Sequence, residues 1–77
     1  MGMMELTSQE KEYLEGLLAS EIEDLGDRLA SGDIGPSETL REWLRILSIF
    51  VKLRLDMRVL TKASQYLSLC LHERVSE

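Results

Sequence analysis

At 77 residues the chain has room for one domain, and 44% hydrophobic with 30% charged residues describes a folding globular sequence, not a disordered one. A single cysteine and a single histidine exclude an internal disulfide and a four-ligand zinc site, and a net charge of −5 disfavours nonspecific attraction to nucleic acid or anionic lipid. A chain this short buries only about 60% of its unfolded surface, so subunit association or unusually good packing must supply the missing stability.

The opening Met1-Gly2-Met3-Met4-Glu5 lacks the basic start and apolar run of a secretory signal, and Leu6 stands where a myristoylation motif needs Ser or Thr. The most apolar stretch, Ile46 to Leu55, is interrupted by Lys52 and Arg54 and falls far short of the roughly 20 residues of a membrane span. A cytoplasmic protein is expected.

The first helix is expected over 8–31. Thr7 followed three residues later by Glu10 forms a capping box, and Glu10 and Glu12 favour the positive end of the helix dipole. Leu14, Leu17, Leu18, Ile22, Leu25 and Leu29 fall within roughly 140° of arc, while Glu12, Glu15, Glu23 and Asp27 point away. Gly16 and Gly26 each cost about 1 kcal/mol of helix propensity relative to Ala, which marks either a close approach or a weak helix.

Ser31-Gly32-Asp33-Ile34-Gly35-Pro36 concentrates turn residues, so the chain reverses at 32–35, with Gly32 placed for a left-handed C-cap and Pro36 for a first helical position. A second helix is expected over 36–75, where no further Gly or Pro occurs. It carries Trp43, Ile46, Phe50, Leu53, Met57, Leu60, Leu67 and Leu71 at near-heptad spacing, with Ser64 in the one polar slot. A second row, Leu40, Leu44, Leu47, Val51, Leu55, Val59, Ala63, Tyr66 and Cys70, runs beside it.

At about 60 Å the second helix overhangs the first, about 36 Å, and leaves apolar surface uncovered. The expected fold is therefore all-α: an antiparallel hairpin of a short and a long helix, dimerising into a four-helix bundle with coiled-coil packing. The second row is assigned to the first helix of the same chain, opposing Leu29 with Leu40, Leu25 with Leu44 and Leu18 with Val51. The heptad row is assigned to the dimer interface. The alternative is a three-helix bundle with a break near 61–64.

Charge is uneven. Glu5 to Asp33 is strongly acidic, whereas Arg41, Arg45, Lys52, Arg54, Arg58 and Lys62 make the following stretch basic. Pairing across the hairpin is the expected use of these charges; the functional alternative is a nucleic-acid-contacting face on the second helix, or an acidic nucleic-acid mimic on the first.

Catalytic chemistry finds little support. Cys70 and His72, two positions apart on a helix, point about 160° away from each other and cannot form a nucleophile pair. Cys70 reads as a small buried hydrophobe and His72 as a complement to the helix dipole. Gly32 and Gly35 lack the Lys-Ser/Thr of a phosphate loop. The expectation is a non-catalytic homodimeric interaction, adaptor or small regulatory protein with a protein partner and no cofactor or metal.

Overall fold

The computed structural model of the chain describes residues 5–75, with side chains to residue 73, so Met1-Gly2-Met3-Met4 lies outside the described residues. Three helices and no strand occur among them: α1 (Ser8–Ser31), α2 (Pro36–Leu53) and α3 (Met57–Val75).

Helix α1 starts where its capping box dictates. Glu10 N–H donates to Thr7 Oγ1 at 3.1 Å, and Thr7 N–H donates to Glu10 Oε1 at 2.8 Å. At its other end Gly32 takes φ 86°, Gly32 N–H reaches Leu29 O at 3.2 Å and Asp33 N–H reaches Arg28 O at 2.8 Å, a Schellman closure. Pro36 then opens α2, and buried Thr39 satisfies its hydroxyl by donating back to Gly35 O at 2.8 Å.

The expected continuous helix over 36–75 does not form. It ends at Leu53, and the break lies upstream of the 61–64 alternative. Arg54 adopts the left-handed conformation, φ 56° and ψ 46°, and Leu55 N–H donates to Phe50 O at 2.9 Å, so an arginine closes the same motif that Gly32 closes on α1. Asp56 then starts the next helix: its Oδ1 accepts from Arg58 N–H at 3.0 Å, the bond of an N-cap.

Magnitudes explain the break. A non-glycine residue in the left-handed region costs about 1–2 kcal/mol. Folding α3 back buries Leu55, Leu60 and Leu67, each contributing about 1.5–3 kcal/mol when removed from water. Of the overhang that a partner was expected to cover, the chain itself covers Leu60, Leu67 and Cys70, while Tyr66, Leu69 and Leu71 stay exposed.

The result is an up-down-up bundle. Glu15 lies beside Asp56, and Gly26 lies beside Tyr66 and Cys70, so α1 and α3 run parallel, with α2 antiparallel between short connections. Helix α1 packs more extensively on α3 than on α2. Phe50, Ile22 and Leu29 are the largest fully enclosed side chains, with Leu25, Ile34, Ile46 and Cys70 around them.

Candidate functional site

On α2 the two apolar rows exchange the roles assigned to them. Ile46 and Phe50 of the heptad row enter the chain's own core, Phe50 with 0% exposure, and Leu60 and Leu67 of the same row join them from α3. Trp43 is half-buried, and its indole N–H donates to Ser64 Oγ at 2.8 Å, so the polar slot in the row holds the tryptophan's partner. Leu53, Met57 and Leu71 remain exposed.

The row expected against helix 1 faces outward instead. Leu40, Leu44 and Val51 are 56%, 49% and 62% exposed, with Leu47 half-buried beside them. The expected oppositions to Leu29, Leu25 and Leu18 are therefore not made. Two rows about 110° apart on one helix, at about 100° per residue, cannot both face a single core, and the row with the larger rings and Ile46 is the one enclosed. Leu17 of α1, expected on the buried face, is exposed as well.

At about 100° per residue, Leu40, Leu44, Leu47 and Val51 share about 60° of the α2 surface, a stripe about 16 Å long. One flank continues into a shallow apolar groove between α2 and α3, lined by Trp43, Leu47, Met57, Leu60, Thr61 and Ser64. The other flank is polar, with Ser48 and then Arg41, Arg45 and Lys52 further round the helix. The remaining exposed apolar side chains of this size on the other helices, such as Leu69 on α3, do not recur at this spacing.

The six basic residues do not gather on one face. Arg41, Arg45 and Lys52 lie on α2, Arg54 at the corner, and Arg58 and Lys62 on α3. Arg45 meets Glu42 at 4.0 Å, and Arg58 meets Asp56 at 3.1 Å. Asp24 and Arg28 pair within α1 at 3.6 Å. The ion pairs of α1 and α2 among the described residues are thus local, and the cross-hairpin pairing expected of these charges is absent there. Between the two helices lies instead a polar cleft that brings Glu21, Arg28, Glu38, Arg41 and Glu42 together above Leu25 and Ile46.

Two titratable sites are perturbed. The Arg58 side chain, and then its backbone N–H, hold the Asp56 carboxyl below its usual value. Tyr66 Oη donates to Asp27 Oδ1, and this bond, with a further one to Cys70, raises the phenol well above its ordinary range. Both sites fasten helices and neither opens on a cavity. Among the described residues no group of three His, Cys, Asp or Glu side chains is placed to hold a metal ion, and no helix is long and apolar enough to cross a membrane.

This geometry defines a small three-helix bundle with an exposed apolar row on α2. Compared with family models, curated proteins and solved structures, the chain matches none.

Proposed function

We propose that the chain is a non-catalytic interaction module whose working surface is the outward face of α2. One observation carries the reading: Leu40, Leu44, Leu47 and Val51 stand at the 4-3-4 spacing by which one helix receives another, on a helix held firmly from behind by Ile46 and Phe50. That helix opens on Pro36 and closes on the left-handed Arg54, so the face is presented preformed and a partner helix pays no ordering cost on this side. A nucleic-acid-contacting face on the second helix is disfavoured, because the basic side chains divide among α2, the corner and α3.

The test uses Leu44→Asp/Val51→Asp, which alters only exposed positions. The double variant should keep the helical content and melting temperature of the parent, yet lose the cross-links that the parent makes through α2 in its native cell. Leu69→Asp, on the outer side of α3, should retain them. Identical cross-link patterns for the parent and the double variant overturn the reading.

A further inference from the structure

We infer that this chain has a second form, a two-fold dimer in which α2 and α3 straighten into one helix over 36–75 and each copy lends its α3 to the bundle of the other. The inference goes beyond the docking reading above and leaves the Leu40 to Val51 row untouched.

Its first support is a register that the closed bundle does not need. Phe50, Leu53, Met57 and Leu60 keep heptad steps of three, four and three across the break, although α2 ends at Leu53 and α3 begins at Met57. Two separate helices have independent phases, so closed packing does not require that continuity. Nor does it use all of it: Phe50 and Leu60 are enclosed, while Leu53 and Met57 between them are 37% and 44% exposed. On a straight helix the four form one stripe. An antiparallel second copy, with the axis at residue 55, sets Leu53 against Met57 and Phe50 against Leu60 of the other copy, twice over.

The corner and the packing agree. Arg54 is the one non-glycine residue in the left-handed region among the described residues, and no Gly or Pro follows Pro36, so straightening relieves a torsion and meets no helix breaker. Helix α3 packs more extensively on α1 than on α2, and most of its contacts survive a move to the α1 of another copy. Trp43 then finds Ser64 of the other copy in place of its own. Against this, straightening gives up the Asp56 cap and the enclosed seat of Leu55. The axis also sets Arg54 beside Arg54 on one rim of the seam and Asp56 beside Asp56 on the other. These oppositions hold dilute protein in the closed form, and salt weakens the repulsion.

Unfolding in urea and refolding at about 1 mM in about 1 M salt should therefore yield a dimer fraction that refolding at about 1 μM does not. Leu53→Asp, at a position exposed in the closed form, should lower that fraction at least about tenfold and leave the melting temperature of the monomer unchanged. Arg54→Gly, favoured at the corner and disfavoured inside a helix, should also lower it at least about tenfold. Leu44→Asp/Val51→Asp should dimerise like the parent; loss of the dimer there places the contact on the outer face of α2 and overturns the inference.

A disulfide reads the trade itself. A Cβ at position 26 would lie 3.2 Å from Cys70 Sγ, so in Gly26→Cys/Tyr66→Ala a bond between positions 26 and 70 joins α1 to whichever α3 lies against it. Oxidised by glutathione disulfide, the isolated dimer should run as two linked chains on a non-reducing gel and the isolated monomer as one. A dimer whose bond stays within each chain is a pair of closed bundles and overturns the inference. A parent that stays monomeric after concentrated refolding does the same, as does a dimer indifferent to both Leu53→Asp and Arg54→Gly, which need no new cysteine.

Discussion

Gly26 of α1 lies against the edge of the Tyr66 ring of α3: a Cβ at position 26 would sit 2.8 Å from Tyr66 Cε2 and 3.2 Å from Cys70 Sγ. The ring cannot swing away freely, because Tyr66 Oη is bonded to Asp27, the residue following the glycine. Gly16, by contrast, has nothing within 4 Å and owes its place to no contact.

Gly26→Ala should therefore destabilise the bundle. Removing a mid-helix glycine gains about 1 kcal/mol of propensity, but overpacking of this severity costs about 1–3 kcal/mol. In a Tyr66→Ala background most of the penalty should vanish, which urea denaturation of the four chains of the cycle would show. An additive cycle would mean that the two residues do not meet.

Arg54→Gly offers a test of the corner with a definite sign. Where Arg54 is left-handed, glycine removes about 1 kcal/mol of strain and should raise the melting temperature by about 4–8 °C. Were the helix continuous through this point, the same change would lower it, since glycine inside a helix costs about 1 kcal/mol.

Acid should loosen the start of α3. The Asp56 carboxyl has its value lowered by the Arg58 side chain and backbone, so the stability it contributes is present above the unfolded-state value near 4 and is lost as pH falls through the lower folded value. The Arg58 amide should shift and exchange faster in NMR spectra recorded below about pH 4. Asp56→Asn, which keeps a cap but not the charge, should abolish that acid transition. Glu15 also reaches this point, accepting from Asp56 N–H at 2.8 Å, and Glu15→Ala should release the Asp56 amide while leaving that of Arg58 bonded.

Phe50→Ala and Leu44→Ala should differ sharply although the residues belong to adjacent rows of one helix. The first leaves a cavity in the core and costs about 3–5 kcal/mol, enough to unfold much of a domain of this size. The second removes a half-exposed side chain from dilute protein and should alter the melting temperature little.

Much of the first half of the fold is legible in the residues: Thr7 with Glu10, Gly32, and Pro36 each act at short range, through bonds that their own neighbours complete. The corner is not, because its left-handed residue is Arg54, which carries no turn preference. The available signal is Asp56, a favoured N-cap residue in a basic stretch, with Arg58 placed to complete the cap. The choice between the two rows of α2 is also hidden. Both are apolar and helical in period, and which one is enclosed depends on where α3 lies, a tertiary fact that periodicity does not contain. Once α3 folds back, Trp43 finds Ser64 and the Leu40 to Val51 row is left as the spare face.

The corner at Arg54 has one last consequence. The reversal from α2 to α3 runs through Arg54, Leu55 and Asp56, and Arg54 is its left-handed residue. A molecule in which Arg54, Leu55 and Asp56 all took helical torsions would carry α2 and α3 in line, and its α3 could reach the α1 groove of a neighbour with the side chains it now uses within the chain. Connectivity, and not packing, is what separates the closed bundle from an exchanged pair, and the left-handed arginine is where the chain decides between them.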